Sequence, residues 1–257
     1  MTMFRGNIFT GAGYLFEAFG LLLKPDLRPY VLIPLLINIV VFSVVGWMVF
    51  SWVDTGTNWA LSFIPDWLAW VTYLIMPAVV LVFLLGVFFT FNFVANIVAA
   101  PFNGMLAEKV SLRVTPNLPS YEESIAKLVN RTLRREMAKL GYYLPRIIAL
   151  TIISWIPVVN FAAPALWFIF TAWMVAFQYI DFAADNQGRS IDDVKAFLKE
   201  KPLTTISMGT LITIILTVPI LNFIVIPLAV IAGTLYWQRS QPEAKVTSES
   251  EALIEAK

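Results

Sequence analysis

The sequence predicts an all-α integral membrane protein with two full transmembrane helices, two half-penetrating (re-entrant) helical hairpins and an inner-side helical region. Three observations predict it. The 257 residues are 59% hydrophobic and 14% charged, with mean hydropathy +0.76, which excludes an ordinary soluble domain. Four uncharged stretches, Pro29–Val53, Trp67–Ala107, Ile147–Ile180 and Pro202–Gln238, each exceed the ~20 residues that cross a ~30 Å hydrocarbon core as a helix. The last two are interrupted at corresponding places, by IPVVNFAAP at Ile156–Pro164 and VPILNFIVIP at Val218–Pro227. Paired breaks of this kind point to a transport site in a membrane protein.

Residues 7–23 read as an interfacial helix, with Phe9, Leu15, Phe16, Phe19, Leu22 and Leu23 toward lipid and Glu17 as the main charge. No compact apolar core precedes a small-residue cleavage site, so no signal peptide is expected. Lys24-Pro25-Asp26-Leu27-Arg28-Pro29 then breaks the chain. Proline at a first helical position suits a helix start, whose free N–H groups and dipole attract anions. Arg28 beside that start is a candidate oxyanion ligand. The competing reading is an anchor whose stem snorkels to headgroups.

The two spans, about 30–53 and 67–100, follow. All 18 Lys and Arg residues lie outside the uncharged stretches, and the loop Asp54–Asp66 carries two Asp and no basic residue. The positive-inside rule places that loop outside and the termini inside. The second stretch is long enough to tilt strongly or to continue beyond the bilayer. In the inner region, residues 101–146, Ser120-x-x-Glu123 is a capping-box pattern opening a helix from Tyr121 to about Tyr143. Lys127, Arg131, Arg135 and Lys139 recur every four residues as one basic stripe, with Arg134 nearby. It reads as an anion funnel or, preferably, as a face resting on anionic headgroups.

The third and fourth stretches have 34 and 37 residues. As straight helices they would exceed ~50 Å, whereas two complete spans and a turn need ~44 residues. Half-helices folding back at Pro157–Pro164 and Pro219–Pro227 fit both lengths, giving hairpins at about 147–180 and 203–238. They also keep Arg189, Lys195, Lys199 and Lys201 inside; a pair of Pro-kinked single spans would put them outside. Non-helical backbone at membrane depth must be covered by protein or face water. The tips, with Asn160 and Asn222, are therefore expected in a subunit interface or lining a pore. Trp47, Trp52, Trp67, Trp70 and Trp237 read as interfacial belt anchors, and residues 240–257 as a flexible inner tail.

The chain has no cysteine and no histidine, which removes disulfides, thiolate metal sites, the usual proton switch and any Ser/His or Cys/His nucleophile pair. It also lacks a Gly-x4-Gly-Lys-Ser/Thr phosphate loop. Glu17, Glu108, Glu136, Asp181 and Asp185 lie near membrane boundaries rather than deep in an uncharged stretch, where an ionisable group is a functional candidate. Glu108 and Asp181 read as partners of nearby Arg and Lys residues. No catalytic residue, cofactor, metal or nucleic-acid partner is expected.

Several segments resemble the CysZ sulfate-permease family. They are Tyr30–Asn38 (YVLIPLLIN), Ile64–Pro77 (IPDWLAWVTYLIMP), Ala99–Val110 (AAPFNGMLAEKV), Tyr142–Arg146 (YYLPR), Ala172–Phe182 (AWMVAFQYIDF), Ala184–Asn186 (ADN) and Val218–Trp237. They occur in family order from about Tyr14 to Trp237. The resemblance implies a bacterial inner-membrane protein that admits sulfate for cysteine biosynthesis, without an ATPase partner and as an oligomer. It further implies a sulfate-binding motif, Gly-Leu/Ile-Arg often followed by Arg, at Asp26-Leu27-Arg28 here, with Lys24 nearby. Two positions depart. Asp26 replaces a Gly whose bare backbone approaches the anion, and adds a negative charge; Pro29 removes a second guanidinium and an N–H donor.

The leading function is therefore sulfate uptake by a passive pore or secondary transport, with Arg28, Leu27, Asp26 and Lys24 at the substrate and Asn160 and Asn222 along the path. Related versions carry sulfite, thiosulfate or another oxyanion. The other class is a membrane-shaping or scaffold protein, against which stand the Asn-bearing tips, costly in bare lipid.

Overall fold

The computed structural model describes residues 6–62, 69–116, 124–218 and 221–240. Among them the structure is all-α, in the order α1 (Ile8–Leu22), α2 (Arg28–Leu61), α3 (Ala69–Val114), α4 (Ile125–Ser154), a 3-10 turn (Val159–Ala162), α5 (Ala163–Asn186), α6 (Ile191–Glu200), α7 (Pro202–Leu216) and α8 (Asn222–Ser240). The chain divides into two compact units, one of Met1–Val31 with Pro101–Lys257 and one of Leu32–Ala100.

The Leu32–Ala100 unit holds most of α2 and of α3. Apolar side chains point outward all round, among them Leu36, Val40, Trp47, Tyr73 and Leu81. A helix apolar on every side belongs in lipid or a large core. The segment Arg28–Met48 has mean hydropathy 2.4 and is almost wholly unburied, one of two described segments long and apolar enough to cross a membrane; the other is Val159–Asn186. Both long helices overrun their expected bounds. The α2 ladder continues through Asp54 to Leu61, and α3 runs 46 residues to Val114, about 69 Å at the usual rise. Residues 63–68, Trp67 among them, lie outside the described residues.

The other unit is built on α1, α5, α7 and α8, with α1 and α5 each packed against both α7 and α8. Glycines set these crossings. A Cβ at Gly209 of α7 would stand 1.9 Å from the Ala172 carbonyl oxygen of α5, one at Gly233 of α8 2.6 Å from that of Tyr179, and one at Gly11 of α1 2.0 Å from Ser207 Oγ of α7. Helix backbones approach this closely only where a side chain is missing, the packing mode used when helices associate in lipid. Asn7 closes the start of α1: its side chain accepts from Phe9 N–H, and its backbone exchanges hydrogen bonds with the Thr204 hydroxyl.

Three expectations are corrected here. Leu15 of α1 faces the core with Gly11 and Ala18, because α1 lies on α7 and α8; Leu22 is half-buried, while Phe9, Phe16, Phe19 and Leu23 remain exposed. Trp237 is a core residue rather than a belt anchor, stacked near Phe197 and donating to Gln187 Oε1 at 2.8 Å. The helix expected to end near Tyr143 continues to Ser154. Ser120 and Glu123 of the capping-box pattern lie outside the described residues, as do Pro219 and residues 241–257.

The α4–α5 pair is an antiparallel helical hairpin. Arg131 near the start of α4 meets Asp185 near the end of α5, Tyr143 meets Phe177, and Ser154 meets Trp167 Nε1 at 3.1 Å. Its tip falls at the Pro157 break. Val158 there has φ 72°, an outlier for a β-branched residue, and Trp155, Val158 and Phe161 are each more than 80% exposed. Further on, α7 ends at Leu216, α8 begins at Asn222, and the two helices pack against each other. Between the hairpins, α6 is opened by a Ser190/Asp193 capping box and buries Val194, Phe197 and Leu198.

A candidate oxyanion site at the turn between α1 and α2

The turn 23–28 links α1 to α2, and Leu27, only 1% exposed, pins it to the core. An apolar side chain buried between exposed neighbours fixes where Asp26 and Arg28 project. Several backbone donors of the turn are already used: Leu27 and Arg28 N–H reach the Lys24 carbonyl at 3.1 and 3.3 Å, and Tyr30 N–H the Leu27 carbonyl at 3.2 Å. Pro29 has none. Much of the open N–H nest expected at this helix start is thus filled from within the turn, which leaves side chains as the main donors to an anion here.

Arg28 is the group so placed. Its Nε and Nη2 both donate to the Leu23 carbonyl, at 3.2 and 3.0 Å. The end of α1, whose last carbonyls carry the negative end of its dipole, holds one edge of the guanidinium. A guanidinium has five N–H donors in a planar fork. The edge through Nη1 is the one that can grip an oxyanion with two parallel hydrogen bonds. Lys24 is exposed beside it.

Asp26 carries the charge that argues against anion binding, and the fold answers it with Arg113 from the last turn of α3, whose Nη2 lies 3.1 Å from Asp26 Oδ2. Sequence reasoning missed Arg113. The one legible signal was a lone basic residue in the last turn of a long helix, which identifies no partner. The turn therefore carries Lys24 and Arg28, and Asp26 draws a third cation, Arg113, to it.

The two tip asparagines part company. Asn160 is exposed, its N–H bonded to the Ile156 carbonyl. Asn222 opens α8, and its Oδ1 is buried without a hydrogen-bond partner, as are Thr213 Oγ1 of α7 and Asn38 Oδ1 of α2. A buried carbonyl left unsatisfied calls for water or another donor. The structure does not bring Asn160 or Asn222 to the Arg28 turn.

The basic stripe of α4 is also corrected. Arg135 forks onto Asp181, with Nε 2.9 Å from Oδ2 and Nη2 2.7 Å from Oδ1, and its Nη1 donates to the Arg189 carbonyl at 2.7 Å. Lys139, 1% exposed, meets Asp181 Oδ2 at 3.1 Å, Glu136 and Gln178 Oε1. Arg131 pairs with Asp185. Burial works to lower the pKa of Arg135, but its hydrogen bonds to Asp181 and the nearby carboxylates outweigh it and hold the guanidinium above its ordinary value. Three of the four stripe members, Arg131, Arg135 and Lys139, therefore join α4 to α5, and Asp181 is the packing partner expected of it.

The family model described as Sulfate transporter CysZ/Etoposide-induced protein 2.4 matches residues 14–227 of the chain. A protein of Pseudomonas fluorescens (strain Pf0-1) named sulfate transporter CysZ is 43% identical over 242 residues, covering 91% of this chain and 95% of that protein. Proteins of the same name from Pseudomonas syringae pv. tomato and Pectobacterium atrosepticum are 43% and 39% identical, covering 90% and 89% of this chain and 93% and 84% of their own lengths.

Proposed function

The chain belongs to the sulfate transporter CysZ/etoposide-induced protein 2.4 family, and from that premise we propose that it carries sulfate across the bacterial inner membrane. Uptake supplies cysteine biosynthesis and proceeds through a passive pore or by secondary transport, without ATP hydrolysis. One observation carries the site: Arg28 is anchored by one edge on the Leu23 carbonyl and keeps its other edge for an oxyanion. Anchoring before the anion arrives lowers the ordering cost of binding. Leu27 sets the turn, Lys24 adds charge, and Arg113 neutralises Asp26. The path passes the hairpin tips, where Asn222 and Asn160 stand in a homo-oligomeric assembly within lipid.

In this reading α2 and the apolar part of α3 span the membrane, the α4–α5 and α7–α8 hairpins enter it part-way, and both termini are cytoplasmic. Val159–Asn186 is long enough to cross alone. The reading as a hairpin arm is supported by its last turns, where Asp181 and Asp185 are held against α4, a charged layer that fits the membrane boundary better than its middle.

Radiolabelled sulfate flux into proteoliposomes tests the function. Wild type is expected to exceed empty liposomes, and Arg28→Ala to fall by roughly tenfold or more, the scale of a lost charge-assisted fork. Equal flux in both would remove Arg28 from the path. Sulfite and thiosulfate competition ranks the alternative substrates. A folded oligomer without flux would favour the membrane-shaping reading.

A further inference from the structure

We propose that the side of α4 turned away from α5 holds the headgroup of an anionic phospholipid. The inference rests on the membrane placement proposed above but not on sulfate transport. Lys127, Asn130, Arg131 and Arg134 line a recess of about 310 Å³. Their three- and four-residue spacing puts them along one side of the helix. Arg131 stands at its edge and also serves Asp185. Lys127 and Arg134 are exposed and lie apart from the ion pairs that lock α4 to α5.

The same exposed side continues toward the hairpin tip as Met137, Leu144, Ile148 and Ile152, all more than half exposed. Basic residues at one end followed by several turns of apolar surface match a phosphodiester headgroup with acyl chains attached. A free oxyanion would use only the recess and leave the apolar stripe without a partner. Charge complementarity and this adjoining stripe together select a lipid.

The test is native mass spectrometry of the purified full-length protein with phosphatidylglycerol or phosphatidylcholine added. Phosphatidylglycerol is expected to be retained in preference. Lys127→Gln/Arg134→Gln should cut its retention on the order of tenfold, from the attraction of each basic residue to anionic lipid, with the thermal midpoint unchanged. Lys127→Arg should retain it. Equal retention of both lipids, or undiminished phosphatidylglycerol on the double variant, would overturn the proposal. So would its displacement by sodium sulfate beyond that by sodium chloride at equal ionic strength, which would mark a free-anion site. A failed sulfate flux assay leaves this measurement untouched.

Discussion

The Arg113 guanidinium lies 3.1 Å from the Asp26 carboxylate across 87 residues of sequence, beside the turn that carries Arg28. Arg113 offsets the negative charge that Asp26 places in this turn. Both side chains are about half exposed, so the pair contributes little stability; its effect is on the local field. Arg113→Gln should lower sulfate flux roughly two- to fivefold, the scale of a half-exposed ion pair. Arg113→Gln/Asp26→Asn should restore it. A double variant as impaired as the single would make Arg113 a direct ligand or a structural residue instead.

The topology has a background-free test, because the chain has no cysteine. Lys199→Cys on exposed α6 should react with an impermeant maleimide only from the cytoplasmic side, and Ser62→Cys at the end of α2 only from outside. Labelling of Lys199→Cys from outside would replace the half-penetrating hairpins with single kinked spans.

Gly209 and Gly13 form a matched pair of substitutions. A Cβ at Gly209 meets backbone of α5, whereas one at Gly13 meets nothing within 4 Å. Gly209→Ala should destabilise by about 1–3 kcal/mol or more through overpacking. Gly13→Ala should be neutral or stabilising by about 0.5–1 kcal/mol from helix propensity. Thermal unfolding in detergent by intrinsic fluorescence reads both.

Arg135→Met should destabilise by about 3–5 kcal/mol, because it leaves the buried Asp181 with Lys139 as its remaining cation. Combining it with Asp181→Leu should cost less than the sum of the two single changes, since the pair shares one interaction. Additive thermal shifts would show that the two are not coupled.

The breaks in the chain were legible where local chemistry makes them. The Lys24–Pro29 sequence ends one helix and starts another within two residues of the expected place, and Pro157 begins the turn of the first hairpin. Arg28 stood out as a cation at the edge of an apolar run. Helix ends were read less well where a proline fails to stop the ladder or where only hydropathy changes: α4 passes through Pro145 to Ser154, and α2 continues beyond Val53. There the hydrogen-bond ladder outlasts the change in hydropathy.

Sequence by itself determined that this chain is helical, rich in lipid-compatible surface and interrupted at paired positions, because uncharged runs and prolines act over a few residues. Tertiary structure alone decided which side of α1 is buried, that α4's basic stripe belongs to Asp181 and Asp185, and that Arg113 answers Asp26. It likewise paired Glu17 with Arg239 across 222 residues. A charge attracts whatever opposite charge the docking of helices brings within reach. That docking depends on glycines such as Gly209 and Gly233, whose local signature is a weak helix former and whose packing role exists only once a second backbone lies against them.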